Sequence, residues 1–200
     1  MKPTLKKWLF RPFDYISDYK ALLIGVTAIL LAGIINRFGN IHFDGVLDIH
    51  IGNKQTSFLV FISEGFINWL VISFLLFISG LIFSSSSIRF IDVVGTQAMA
   101  RWPLFISSLT AIIIPHQSVQ NYLQFYALGY GPEVDIQPYQ LIVFGLLVLI
   151  MIATIIWMII LMYRAFSIAS NLKGNKAIVI FIVTLIVAEA VSKYLISFVS

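Results

Sequence analysis

Residues 20–35, 58–83, 139–163 and 177–199 are long apolar runs, close to or beyond the ~20 residues that a ~30 Å hydrocarbon core asks of a helix. Such runs leave the backbone little choice. Without water to satisfy N–H and C=O groups, a segment in lipid must bond internally, as a helix. The rest of the chain offers no soluble alternative, because 60% of its residues are hydrophobic and only 11% are charged. That little charge cannot cover a water-soluble domain of 200 residues. A cleaved signal peptide does not fit the first run, which follows a long leader carrying Asp14 and Asp18 and precedes no small-residue cleavage site.

A fifth crossing is expected between the second and fourth runs, although only residues 103–114 are cleanly apolar there. Ahead of them stands SSSSIRFIDVVGTQAMARWPLF, residues 84–105. Ile88, Ile91, Val94, Ala98 and Trp102 recur in it at intervals of three and four, with Arg89, Asp92, Thr96 and Gln97 between them. This pattern predicts an amphipathic helix lying in the membrane interface, anchored by Trp102 and bent at Pro103 into the third crossing. A plain polar connector before a short span is the other reading.

Lys and Arg orient the chain, since positively charged short loops stay in the cytoplasm. Lys2, Lys6, Lys7, Arg11, Lys20, Arg89, Arg101, Arg164, Lys173 and Lys176, ten of the thirteen, fall on one side of a five-span arrangement. Arg37, Lys54 and Lys193 fall on the other, where Asp44, Asp48, Glu64, Glu133 and Asp135 gather. The expected topology has residues 1–19 as a short cytoplasmic N-terminus and residues 20–200 as a five-span domain ending outside. The fold class is an all-α membrane bundle.

Ionisable groups inside spans are functional candidates by default. Glu189 and Lys193 stand four apart, stacked on one helix face with the acid first, the better order for an ion pair. Glu64 and Asn68 repeat the spacing in the second span and are candidates to face Lys193 across the bundle. A structural ion pair and a path for a coupling ion are the two readings. In the first outer loop, NIHFDGVLDIHIGNKQ, the Asp-Gly pair between alternating residues predicts a small β-hairpin. A three-residue turn over 43–45 puts Ile41, Leu47, Ile49 and Ile51 on one face and His42, Asp48 and His50 on the other. Two imidazoles and a carboxylate are adequate metal ligands, and a solvated polar face is the alternative. SVQNYLQFYALGYGPEV, residues 118–134, predicts a short outer amphipathic helix that ends at a Gly-Pro break.

Other chemistry is absent from the sequence. Zero Cys excludes disulfides, thiol catalysis and thiolate metal sites. No Gly-rich phosphate loop, Ser-His-Asp set or zinc-protease motif is present, so neither an enzyme nor a bound cofactor is expected. The net charge of +4 is accounted for by topology and does not suggest nucleic-acid binding.

FIDVVGTQAMARWPLFISSLTAIIIP and IIWMIILMYRAFSIASNLKGNKAI, with the five-span count, resemble the Yip1 domain family in its small prokaryotic form. The first is similar to that family's Gly-containing cytoplasmic segment leading through Pro into span three. The second is similar to its aromatic span four, short polar turn and entry to span five. The resemblance implies membrane organisation without catalysis. Family members in eukaryotes act in vesicle trafficking beside lipidated GTPases, through a longer N-terminal region than these twenty or so residues. For this chain it implies a scaffold or accessory subunit in a bacterial inner membrane. Its expected partners are the lipid bilayer and another membrane complex, such as an exporter, or further copies of itself. A small transporter using Glu64, Asn68, Glu189 and Lys193, and a lipid-organising protein acting through residues 88–102, are the competing expectations.

Overall fold

The computed structural model describes residues 4–52, 56–112 and 116–199. Lys54 and residues 113–115 lie outside the described residues. Ten elements follow in chain order: α1 (Leu5–Phe10), α2 (Asp18–Gly39), β1 (Ile41–His42), β2 (His50–Ile51), α3 (Phe58–Phe83), α4 (Phe90–Ala100), α5 (Pro103–Leu109), α6 (His116–Leu128), α7 (Pro138–Ser170) and α8 (Gly174–Ile196). Short 3₁₀ turns at Pro12–Asp14 and Thr110–Ile112 join them.

Four helices, α2, α3, α7 and α8, are long and apolar enough to cross a membrane, as expected of a multi-pass membrane protein. At 1.5 Å per residue the 33 residues of α7 extend roughly 50 Å, more than the hydrocarbon core requires. Its start is fixed by Pro138 at the first helical position and a reciprocal pair of bonds between Gln137 and Gln140; Asn171, in the left-handed region, stops it. Ile142, Leu146, Leu149, Ile152 and Ile156 along it remain exposed, which suits a lipid-facing helix. The stripe buried on α3 runs Phe61, Glu64, Gly65, Asn68, Trp69, Ile72, Ser73, Leu76 and Gly80, at helical spacing with three polar residues inside it.

The expected fifth long span does not occur among the described residues. Its place is taken by α4 and α5, divided at Arg101–Trp102, and by the turn after them. Pro103 opens α5, so the break falls where the sequence puts it. The expectation of an interfacial helix is corrected more deeply, because α4 is a core element: Val93 through Ala100 are all buried. Small residues make this possible. A methyl group at Gly95 would come within 2.7 Å of the Asp18 carbonyl oxygen, and one at Gly25 would fall within 2.5 Å of the Ala98 Cβ, so α2 and α4 pack backbone against backbone. The polar residues assigned to water find partners instead. Gln97 Nε2 donates to the Met162 carbonyl at 3.0 Å, Thr96 Oγ1 donates to the Asp92 carbonyl at 2.6 Å, and the Trp69 indole donates to the Val94 carbonyl at 2.9 Å. Ile88 and Ile91 are half-buried. Trp102 stacks edge-on against Trp157 at 4.5 Å, inside the bundle's rim, where an interfacial anchor was expected.

Contacts fix which helix ends lie together. Arg89 bonds Asp18, joining the starts of α2 and α4. Its guanidinium is held above its ordinary pKa by hydrogen bonds and charge from Asp92 and by Asp18. At that same end Ser84 Oγ donates to the Ser170 carbonyl at 2.6 Å, and Lys176 Nζ donates to the Phe83 carbonyl at 2.9 Å. The N-terminal segment folds back on α7, where the Trp157 indole donates to the Leu9 carbonyl at 3.0 Å.

Candidate functional site

Two residues on each strand form the hairpin, with Ile41 opposite Ile51 and His42 opposite His50. The turn spans seven residues, 43–49, where three were expected. The difference of four preserves parity, so the two Ile still share one face and the two His the other. The turn is long because it descends into the bundle. Ile41, His42, Phe43 and Val46 are all buried.

Two carboxylates receive it. Glu64, 0% exposed, accepts from His42 Nδ1 at 2.6 Å through one oxygen and from the Phe43 amide at 2.9 Å through the other. One turn further along α3, Asn68 Nδ2 donates to the Phe43 carbonyl at 2.6 Å. The i, i+4 pair legible in the sequence therefore grips both backbone groups of a single residue. From α8, Glu189 accepts from the Leu47 amide at 2.8 Å. Gly45 lies between these grips, and a methyl group there would stand 2.7 Å from the Glu189 carboxyl carbon. Any side chain at position 45 would displace that carboxylate.

Lys193 completes the α8 contact, 2.7 Å from Asp48 and 3.4 Å from Glu189. It does not reach Glu64, so the cross-bundle pairing raised by the sequence is not made. Its side chain is 48% exposed and that of Asp48 is 41% exposed, which screens the pair. Lys193→Met is therefore expected to change stability by under about 1 kcal/mol, read as melting temperature in detergent.

Of the three metal candidates named from sequence, His42 and His50 come together, rings stacked at 5.1 Å, while Asp48 turns away to Lys193. Asp44, read from sequence as a turn residue and one of the outer acids but not as a ligand, takes its place and lies 2.9 Å from His50 Nδ1. Burial raises the Asp44 pKa above the usual carboxylate range, against the pull of His50. His42 is further packed on the Phe61 ring at 4.5 Å.

Arg101 is the residue that sequence reasoning misplaced most. Counted there among cytoplasmic loop charges, it is 2% exposed at the α4–α5 break, and neither Nη atom has a hydrogen-bond partner among the described residues. Beside it lies a cavity of about 10 Å³, room for one water, lined by Gly33, Phe43, Phe61, Gly65 and Leu104 among others. The doublet Arg-Trp before Pro gave no sequence signal that separates an interfacial anchor from a buried break.

No protein-family model, no curated protein and no solved structure matches this chain.

Proposed function

We propose that this chain is a non-enzymatic membrane protein of the Yip1 type that serves as a scaffold or accessory subunit of a larger membrane complex. The observation that carries this reading is the use made of its intramembrane carboxylates. Glu64 and Glu189 hold backbone amides of the 43–49 turn, and Lys193 braces the rim. Groups committed to holding a turn are poorly placed to pass an ion along. Between α3 and α8 an apolar groove of about 400 Å³, lined by Leu75, Ile78, Phe83, Val179 and Val183 with others, offers a face for a neighbouring helix or an acyl chain.

Five crossings, with the third divided, fit the contacts at the helix ends. α3 and α7 both finish at the end where Ser84 meets Ser170, so α7 must begin at the hairpin end. The chain between them has to return across, and α4 with α5 is what lies there. Lys193 at the hairpin and Asp18 at the opposite end support termini on opposite sides, with the basic N-terminal side in the cytoplasm of a bacterial inner membrane. The lipid-organising alternative draws less support, since Val93 through Ala100 of the segment it would use are buried in α4.

A transporter is the second reading, favoured by the unpaired Arg101 at a helix break, because buried ionisable groups at such breaks mark substrate sites in transporters. One pair of experiments separates the two. Crosslinking in native membranes is expected to co-purify one defined membrane complex, and purified protein in liposomes is expected to carry no proton or ion flux. Flux abolished by Glu189→Gln would overturn the scaffold reading.

A further inference from the structure

We propose that His42, Asp44 and Glu64 form a binding site for one divalent transition-metal ion beneath the hairpin, with His50 holding Asp44 in place. The site stands or falls independently of the scaffold reading.

Three distinct parts of the chain supply it: β1, the turn, and α3. One ligand atom from each of the three residues lies within 4.8 Å of the others. Ligands bound at 2.0–2.2 Å to a tetrahedral Zn²⁺ stand about 3–3.6 Å apart, so closing on an ion asks for shifts of about 1 Å. Imidazole and carboxylate together suit zinc, manganese or iron rather than calcium or magnesium, which prefer oxygen alone.

The donor set argues in the same direction. The structure sets two His–carboxylate pairs side by side, His42 with Glu64 and His50 with Asp44, and stacks the two rings face to face at 5.1 Å and 14°. Each pair sets an imidazole nitrogen against a carboxylate oxygen, so the four groups present the nitrogen and oxygen donors that such an ion takes. Metal binding itself requires neutral imidazole and ionised carboxylate.

The supporting shell is in place. Glu64 has its second oxygen fixed by the Phe43 amide, and Asp44 has one oxygen fixed by His50. Outer partners of this kind orient ligands and raise affinity. An entry path exists as well. The Asp44 and His50 side chains are 35% and 45% exposed, while those of His42 and Glu64 are 7% and 1% exposed. An ion arriving from the hairpin side meets Asp44 first and is then drawn toward the buried pair.

The test uses the full chain in detergent, stripped with chelator and titrated with zinc chloride. Wild type is expected to retain one zinc per chain through gel filtration and to melt roughly 5 °C higher at a hundredfold excess over Kd. Asp44→Asn, on the exposed side and compatible with the fold, should weaken zinc affinity by at least tenfold, and His50→Gln by about tenfold through loss of the outer partner. Asp48→Asn should leave affinity unchanged, since Asp48 pairs with Lys193. Failure of stripped wild type to retain zinc, or affinity unaltered by Asp44→Asn in protein that elutes as wild type does, would overturn the site.

Discussion

Glu64→Ala should destabilise this protein by about 3–5 kcal/mol, the cost typical of removing one partner from a fully buried pair. The carboxylate has two commitments, His42 Nδ1 at 2.6 Å and the Phe43 amide at 2.9 Å, and is 0% exposed. Each donor left unsatisfied in such a place costs about 1–3 kcal/mol by itself. Two stranded donors and a carboxyl-sized void account for the loss. Glu64→Gln retains an acceptor for Phe43 and should lose only about 1–2 kcal/mol. Melting in detergent with chelator present measures both and keeps bound metal out of the comparison. Equal loss in the two variants would mean that side-chain volume, not the hydrogen bonds, holds the turn.

Gly25→Leu is expected to be as damaging for a different reason, with a cost of roughly 3 kcal/mol or more and little monodisperse protein recovered. The atoms in the way are the backbone of Ala98 and Met99, which no rotamer change can move. The α2 and α4 axes would have to separate. Separation would pull Trp69 from the Val94 carbonyl and open Arg101 to the gap, so the loss spreads beyond one contact. Gly145 on α7 provides the control. Nothing lies within 4 Å of a methyl group there, and Gly145→Ala should be neutral or stabilising by up to about 1 kcal/mol through helix propensity alone. If Gly25→Leu behaved like Gly145→Ala, the close packing of α2 on α4 would be wrong. Size-exclusion profile and melting temperature decide it.

Particular residues show how far the sequence could be read. The long apolar runs gave α2, α3, α7 and α8 because lipid length and internal backbone bonding leave one solution. Asp-Gly within alternating residues gave the hairpin and the faces of its strands, since parity survives a change of turn length. The turn length itself was not legible, because it depends on Glu64 and Glu189, which lie 21 residues from Phe43 and 142 residues from Leu47. Residues 88–102 misled for a related reason. Thr96 and Gln97 between apolar residues read as a wet face, yet both are buried, Thr96 bonding back to the Asp92 carbonyl of its own helix and Gln97 to the Met162 carbonyl on α7. Periodicity reports that a helix has two faces. It does not report which face meets water when the surroundings are other helices. Gly25 in the first span could not be read as the contact point of a helix that the sequence placed at the surface.

The bond from the Leu47 amide to Glu189 joins residues 142 positions apart, and its acceptor stands on α8. At roughly 5–20 residues per second, synthesis leaves an interval of about 7–28 s between the emergence of the turn and the emergence of its partner. Through that interval the Leu47 amide and Asp48 lack their α8 partners while α3 to α7 are being inserted. The hairpin end is therefore sealed only once α8 has entered the membrane.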